Sequence, residues 1–270
     1  MLEVLAVCKT YHAGTPNEVP ALRNLSLQVP EAGFVVIIGT NGSGKSTLMN
    51  LLAGSERPDT GQVVLAGRDV TSWAEHRRAR LIGRVFQNPF SGTAPGMSIA
   101  ENLALAARRG HWPDLGWALG RRRREAFRDR LRQLRLGLED RLDNLVGSLS
   151  GGQRQALTLL MATWQRPQLL LLDEHTAALD PKSAEQVIRL TSELVRRERL
   201  TTLMITHSMA QAAHLGDRLV MMHRGQICLD AAGAAKQRLH VEDLLARFEA
   251  MRRRDQLDPS AADLLRRAYV

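Results

Sequence analysis

The segment from Gly39 to Thr47, GTNGSGKST, has the residue types and spacing of a loop that binds nucleotide phosphates. Its glycines allow successive backbone N–H groups to curl around phosphate oxygens. Lys45 is placed to reach the β- and γ-phosphates, and the Ser46 hydroxyl to bind Mg²⁺. An apolar run precedes the segment and a helical pattern follows it, which argues against a chance Gly-rich turn. The predicted phosphate-binding residues are Gly39, Thr40, Asn41, Gly42, Ser43, Gly44, Lys45, Ser46 and Thr47.

Two acidic residues, Asp173 and Glu174, follow the apolar run Leu169 to Leu172. A run of this length is typical of a buried strand, which would carry the pair to the edge of the sheet where ligands bind in open α/β folds. There Asp173 would orient Mg²⁺ through water, and Glu174 would align the attacking water or accept its proton. Acidic residues after a strand also commonly begin a helix. The phosphate loop upstream favours the catalytic interpretation.

A second anion site is predicted at Leu149 to Gln153, LSGGQ. Ser150 is a residue type that caps helix N-termini, and Gly151 and Gly152 leave bare backbone N–H groups at the helix start. Because the segment lies far along the chain from the phosphate loop, the residues alone leave open whose phosphate it would hold.

Strands and helices that alternate along the chain must position these residues. The predicted strands are Leu2–Val7, Ala21–Val29, Phe34–Ile38, 61–67, Leu81–Phe86, Leu169–Leu172 and Thr201–Thr206, with a hairpin of Leu219–His223 and Gln226–Leu229. The predicted helices are Lys45–Ala53, a block from Ser98 to about Gln165 that opens with a Ser98–Glu101 capping box, Pro181 to about Arg199, Met209–Leu215, Val241–Arg253 and Ser260–Ala268. This alternation predicts an α/β fold with a largely parallel sheet covered on both faces, which the block from Ser98 interrupts as a helical subdomain.

Composition restricts the class of protein. The 270 residues are 44% hydrophobic, enough for a large core, and no run approaches the length needed to span a bilayer. The net charge of +9 could reflect only an Arg-rich composition, or it could suit nucleic acid or an anionic membrane surface. Between these two partners, the aromatic content of only 4% favours the membrane. The Arg-rich run from Arg121 to Arg132 could be a solvated helix face or a contact with anionic lipid headgroups. The residues do not decide between these two.

The motifs occur in the order and spacing of ATP-binding-cassette (ABC) ATPases, which the chain resembles over about residues 1 to 240. The resemblance rests on the phosphate loop at 39–47, LSGGQ at 149–153, LLLLDE at 169–174, Ala178 to Asp180 and Ile205 to His207. It implies a phosphate-loop NTPase (RecA-like) core at 1–240, with a small N-terminal antiparallel β subdomain and a helical subdomain inserted at about 90–165. Residues 241–270 would form a C-terminal helical tail. It also implies ATP hydrolysis with ATP and Mg²⁺ as cofactors.

The resemblance also implies a head-to-tail dimer of two such subunits, which answers the question raised by LSGGQ. In this family the signature helix of one subunit caps the ATP held by the phosphate loop of the other. Ser150, Gly151, Gly152 and Gln153 would therefore face a partner's γ-phosphate. Asp180 matches the family's D-loop residue, which crosses the dimer interface.

Three further residues take their roles from the resemblance alone. Gln87 matches the Q-loop glutamine, a contact of Mg²⁺ and water that senses the transmembrane partner. His207 matches the switch histidine that contacts the γ-phosphate, and Tyr11 sits where the family stacks an aromatic ring on adenine. His175 follows Glu174 where many relatives have Pro. Because the acidic pair stays intact, hydrolysis is expected to survive this change.

The resemblance predicts the nucleotide-binding subunit of a membrane transporter, peripheral at the cytoplasmic face of the cell (inner) membrane. It would drive the import of a solute, such as an amino acid, through separate permease subunits. An extracytoplasmic solute-binding protein would belong to the same system, and no nucleic acid is expected as a partner. Residues 88–102 and the helical subdomain would form the groove for a permease coupling helix. The alternative is a soluble ABC ATPase that acts on nucleic acid or the ribosome. Such proteins carry two cassettes or a long coiled-coil insertion, whereas this chain has one cassette and no heptads between Thr47 and Leu149.

Overall fold

The computed structural model describes residues 1–110 and 119–256. Part of the predicted helical block, 111–118, and the predicted helix Ser260–Ala268 lie outside the described residues. The strands are β1 (Leu2–Tyr11), β2 (Val19–Val29), β3 (Phe34–Gly39), β4 (Thr60–Leu65), β5 (Arg68–Asp69), β6 (Ile82–Val85), β7 (Leu169–Asp173), β8 (Thr201–Ile205), β9 (Arg218–His223) and β10 (Gln226–Ala232). The helices are α1 (Lys45–Ala53), α2 (Glu75–Arg78), α3 (Ile99–Ala107), α4 (Arg121–Arg132), α5 (Gly151–Thr163), α6 (Pro181–Glu198), α7 (Met209–His214), α8 (Gly233–Gln237) and α9 (Val241–Gln256).

A six-stranded sheet in the order β10-β9-β3-β8-β7-β6 forms the centre of the molecule. Its strands are parallel except β10, which pairs antiparallel with β9 in the predicted hairpin. Every residue of β3 is buried because the strand has a core cluster on each face: Val35 and Ile37 pack on the α1 side, and Val36 and Ile38 on the side of α6 and α7. Burial on both faces explains the continuous apolar run in the sequence. The predicted parallel α/β sheet is therefore confirmed.

The parallel strands direct their carboxyl ends to one edge of this sheet. At that edge β3 ends at Gly39, β7 at Asp173 and β8 at Ile205, and Asp173 lies opposite Ile205 in the register. Ligands bind at this edge in open α/β sheets. The strand order thus gathers the phosphate loop, the acidic pair and the residues that follow β8.

A second sheet, antiparallel and in the order β2-β1-β4-β5, packs over α1 and confirms the predicted small β subdomain. Tyr11 is the last residue of β1 and pairs with Val19. The short elements β5, α2 and α8 were not predicted, because two to five residues give too little periodicity to detect.

The helical subdomain consists of α3, α4 and α5 around a third core cluster. The predicted capping box is present, since Ser98 and Glu101 exchange both hydrogen bonds at the start of α3. On α4 only Phe127 and Leu131 are buried, so the arginine run lies mostly on the outward face of the helix. Contact with lipid headgroups remains a prediction for that face. No helix within the described residues has the length and apolarity to cross a membrane.

A fully buried arginine, Arg78, fixes the far end of the helix that follows the phosphate loop. Its guanidinium donates to the carbonyl oxygens of Leu51 and Leu52 in the last turn of α1, at 2.6 and 2.9 Å, and also to those of Trp73 and Thr71. Burial lowers the pKa of Arg78 to about 10. The cation meets the negative end of the helix dipole, and the contact joins the end of α1 to the segment that follows β5.

Candidate functional site

The loop at 39–47 joins β3 to α1 and turns sharply at its last glycine. Gly44 is the N-cap of α1 with φ of +96°, and a Cβ atom there would lie 2.4 Å from the carbonyl oxygen of Ala21. Only glycine fits both the backbone angle and the space. The turn therefore presents the free N–H groups at the start of α1, where the helix dipole favours an anion.

Lys45 is buried within this loop. Its ammonium donates to the carbonyl oxygens of Gly39 and Thr40, both at 2.9 Å. Burial lowers the pKa of Lys45, while the nearby carboxylates of Glu174 and Asp173 act in the opposite direction. The ammonium thus lies between loop carbonyls and the acidic pair, where phosphate oxygens could replace neutral acceptors with charge-assisted bonds.

The acidic pair stands at the end of β7. Glu174 has φ of +46°, in the left-handed region, so the chain turns directly after Asp173. Glu174 Oε1 lies 2.7 Å from Nε2 of His207, which follows β8. A largely buried carboxylate held by an imidazole can orient a water molecule or accept its proton.

The residues predicted to bind Mg²⁺ offer oxygen ligands of the type this ion prefers. Asp173 is half-buried at the sheet edge, Ser46 is the second residue of α1, and Gln87 is exposed just after β6. Residues 1–110 and 119–256 hold no cluster of three or more His, Cys, Asp or Glu side chains suited to a metal. The donor set therefore fits a magnesium ion that takes its remaining ligands from phosphates and water.

Tyr11 lies against the start of α1. Its hydroxyl donates to a Glu56 carboxylate oxygen and lies 3.5 Å from Thr47 Oγ1. The Lys9 ammonium lies 5.8 Å from the centre of the ring. Burial, together with the hydrogen bond to Glu56, raises the pKa of Tyr11. The phenol is thus fixed beside the last residue of the predicted phosphate loop.

The LSGGQ segment opens α5 as predicted. Ser150 is its N-cap: Ser150 Oγ accepts a hydrogen bond from the Gln153 backbone N–H at 3.3 Å, and Gln153 Oε1 accepts from that of Ser150 at 3.2 Å. The Ser150 hydroxyl keeps its own proton to donate to an anion. No hydrogen bond or ion pair among the described residues joins Ser150–Gln153 to the phosphate loop. Within the described part of one chain, therefore, no such contact links the two predicted anion sites.

The two glycines of this segment meet different neighbours. A Cβ on Gly152 would lie 2.8 Å from Ser183 Cβ on α6, whereas one on Gly151 would meet only the flexible end of Leu179, at 3.1 Å. Gly152 thus has a packing role inside its own chain that the sequence did not reveal. Asp180 likewise has a local role, since it caps α6 by accepting from the Ser183 N–H at 3.0 Å. This hydrogen bonding lowers the pKa of Asp180.

Sequence reasoning missed Arg84, a charged residue inside β6. Its Nη2 lies 3.2 Å from Oδ2 of Asp173 and 2.9 Å from Oδ1 of Asn50. The available signal was a charge within the otherwise apolar run Leu81 to Phe86, because a charge in a buried strand needs a partner.

His175, the residue that departs from the family pattern, is fully enclosed. Its Nε2 lies 3.1 Å from Thr191 Oγ1, whose own proton goes to the Val187 carbonyl. Nε2 must therefore carry the imidazole proton, and Nδ1 has no partner among the described residues. Burial lowers the pKa of His175 to about 4.

We expect His175 to make folding sensitive to acid. The folded protein keeps the imidazole neutral down to about pH 4, whereas the unfolded chain protonates it below its ordinary pKa of 6.5. Stability is thus full above pH 6.5 and falls as the pH drops toward 4. Between pH 7 and pH 5 the free energy of unfolding should fall by about 2 kcal/mol through this residue. Denaturant unfolding of wild type and His175→Leu at both pH values measures it, and equal losses in the two proteins would contradict it.

The chain is similar to known proteins both in sequence and in structure. A family model described as ABC transporter matches residues 22–177. The tyrosine transport ATP-binding protein of Clostridioides difficile is 43% identical over 251 residues, 92% of this chain and 99% of that protein. The lipoprotein-releasing system ATP-binding protein LolD of a Ruegeria species is 34% identical over 83% of this chain and 96% of its own length. A dimeric, post-hydrolysis structure of the ATP-binding cassette MJ0796 with ADP and Pi aligns with a TM-score of 0.73 and 28% identity, over 86% of this chain and 98% of that one.

Proposed function

Because this chain belongs to the ABC transporter family, we propose that it powers the import of a small solute of the amino-acid class through separate permease subunits. It is an ATPase of that family, and its fold is that of the ABC ATPase cassettes. The observation that carries the proposed solute class is the extent of similarity to the tyrosine transport protein, which covers nearly the whole of both chains. The proposed location is the cytoplasmic face of the cell membrane, with an extracytoplasmic solute-binding protein as a further partner.

The site geometry supports a specific role for each residue in ATP hydrolysis. We assign Lys45 and the backbone of 39–47 to the phosphates, Glu174 to the attacking water and His207 to the γ-phosphate. The contact of 2.7 Å between Glu174 and His207 supports this, because His207 lines one cavity with Gly39, Thr40 and Asn41 of the phosphate loop. Ser46, Asp173 and Gln87 would hold Mg²⁺, which neutralises charge that develops on the phosphates.

We also propose a head-to-tail homodimer, in which Ser150, Gly151, Gly152 and Gln153 cap the ATP of the partner and Asp180 lies at the interface. The lack of any hydrogen bond or ion pair between these residues and the phosphate loop of their own chain, among the described residues, supports this arrangement. So does the similarity to a cassette solved as a dimer.

A cavity of about 470 Å³ beside β6 is the proposed docking groove for a permease helix. Phe86, Thr93 and Thr158 line it, together with Leu105, which is 55% exposed. Two further exposed apolar side chains, Phe90 and Met97, lie in residues 88–102, the segment predicted from the sequence to form part of this groove. Exposed apolar groups around a concave surface suit an amphipathic helix.

Co-purification tests the transporter assignment. A tagged copy of the chain, extracted with mild detergent from its own cells, should bring down a polytopic membrane protein. Cells that lack the chain should lose uptake of radiolabelled amino acids, with tyrosine as the first candidate. Loss of lipoprotein release with normal uptake would instead assign the chain to the activity named for its LolD relative. A steeply salt-dependent affinity for DNA or RNA, with no membrane partner, would favour the alternative of a soluble ATPase.

Tyr11→Ala tests the adenine contact. If the base stacks on this ring, the substitution should weaken ATP binding by about 1–3 kcal/mol. The binding free energy of GTP should weaken by a similar amount, because stacking depends on the face of the base and not on its hydrogen-bond pattern. Fluorescence titration with both nucleotides measures this, and Tyr11→Phe, which keeps the ring but loses the contact with Glu56, is the control. Unchanged nucleotide affinity in Tyr11→Ala would leave Tyr11 with a structural role only.

A further inference from the structure

Arg84 is a half-buried cation between the candidate metal site and the docking groove. It lies on β6, the edge strand next to β7, between the buried residues Gly83 and Val85. Its side chain is only 15% exposed and contacts Asp173, whose side chain is 17% exposed. The guanidinium also lies 4.8 Å from the ring centre of Phe86, the residue before Gln87. The Asp173 carboxylate and the Phe86 ring thus restrict its orientation.

Arg84 also begins a row of polar contacts that crosses the site. Its Nη2 is 2.9 Å from Asn50 Oδ1, Asn50 Nδ2 is 3.3 Å from Glu56 Oε1, and the other Glu56 oxygen accepts from Tyr11. Asn50 lies on α1, the helix that starts with Lys45. The row therefore joins the carboxylate proposed for Mg²⁺ to the aromatic ring proposed for adenine, through the helix that carries the phosphate loop.

A contribution to the stability of the fold does not by itself explain why an arginine occupies position 84. A buried ion pair adds little net stability, because the desolvation of both charges offsets their attraction. Arg84 Nε is moreover buried with no acceptor among the described residues, which costs about 1–3 kcal/mol. The arrangement does, however, fix one atom of Asp173: Arg84 contacts Oδ2, and no described side chain is hydrogen-bonded to Oδ1.

We propose that Arg84 is a positioning residue for magnesium: it holds Asp173 through Oδ2 and leaves Oδ1 directed to the metal. This inference rests on the proposed ATPase site. Hydrogen bonds to metal-binding carboxylates orient them, and their loss typically costs about 10–100-fold in metal affinity or activity. Lysine cannot replace Arg84 fully, because a compact ammonium lacks the planar guanidinium that lies against the Phe86 ring while its Nη2 contacts both Asn50 and Asp173.

A simple electrostatic role predicts the opposite effect. If Arg84 only neutralised Asp173, its removal would increase the negative charge at the site and tighten binding of a divalent cation. The sign of the change on substitution therefore separates positioning from neutralisation.

Mn²⁺ serves as a probe whose binding is read by electron paramagnetic resonance, independently of turnover. The Glu174→Gln protein with ATP is titrated with Mn²⁺, alone and combined with Arg84→Met or Arg84→Lys. We expect about tenfold weaker Mn²⁺ binding with Met, a smaller loss with Lys, and ATP affinity in EDTA unchanged within twofold. The matched control is Arg218→Met, which removes the arginine of another Arg–Asp pair on the same sheet, Arg218 with Asp230. It should leave Mn²⁺ affinity unaltered.

Each other result has a definite meaning. Unchanged Mn²⁺ affinity in both Arg84 variants, whatever their melting temperatures, would overturn the positioning role, and tighter binding would replace it with neutralisation. Equal losses in Arg84→Met and Arg218→Met would also overturn it, since they would reflect general destabilisation. If the Glu174→Gln protein itself showed no ATP-dependent Mn²⁺ binding, the proposed ATPase site would fail, and not merely the role of Arg84.

Discussion

Glu174→Gln is expected to bind ATP normally and to hydrolyse it about 100-fold more slowly or worse, because the amide cannot accept a proton from water. Its shape is nearly that of the carboxylate, and its oxygen can still accept from His207, whose Nε2 lies 2.7 Å from Glu174 Oε1. The loop around Lys45 should stay intact. The trapped ATP should then hold two copies together.

Single-turnover ATPase rates and size-exclusion chromatography with Mg²⁺-ATP measure both effects. Glu185→Gln, an identical change at an exposed position of α6, is the control and should match wild type. Wild-type turnover in Glu174→Gln would remove Glu174 from the role of general base. Lys45→Ala gives the complementary result, since loss of the charge-assisted phosphate contact should weaken ATP binding itself.

Gly151→Asp is expected to abolish ATP-driven dimerisation while each monomer still binds ATP. The new carboxylate would stand where the partner's γ-phosphate approaches, and like charges repel strongly in a partly desolvated gap. Its own chain has room for the change, because the added Cβ meets only the movable end of Leu179. Gly152 is unsuitable for this test, since a Cβ there would collide with Ser183 of the same chain.

The readout is the ATP-dependent dimer of Glu174→Gln, which should disappear in Glu174→Gln/Gly151→Asp at unchanged monomer affinity. Gly151→Ala separates the effect of bulk from that of charge. Gly96→Asp adds the same carboxylate at a glycine that lies outside the left-handed region and has nothing within 4 Å of its Cβ position, and it should leave the dimer intact. If the double variant still dimerises, or if Gly151→Asp destroys ATP binding by the monomer, LSGGQ serves the nucleotide of its own chain and the head-to-tail arrangement is wrong.

Local patterns in the sequence were sufficient for most of the fold. The buried run of β3, the helix Lys45–Ala53 and the Ser98 and Ser150 caps were predicted because propensity, periodicity and capping act within a few residues. Strands alternating with helices likewise determined a parallel sheet, and hence that Lys45 and Asp173 would meet at one edge. The shortest elements and the helix boundaries were predicted less accurately, because a few residues carry little pattern and helix ends fray.

Tertiary structure alone decided which side chains touch within the site. The contact of Glu174 with His207, the enclosure of His175 by Thr191 and the pairing of Arg84 with Asp173 depend on strand order and helix packing, which bring together residues distant in sequence. The sequence marked Arg84 only as a charge in an apolar strand and could not name its partner. From the sequence, both Gly151 and Gly152 were explained by close approach to a phosphate. In the structure only Gly152 is also required to be glycine by its packing against α6. The physical cause is the same throughout: residue types and local spacing determine which groups are available, but contact distances follow from the close packing of elements that no local pattern encodes.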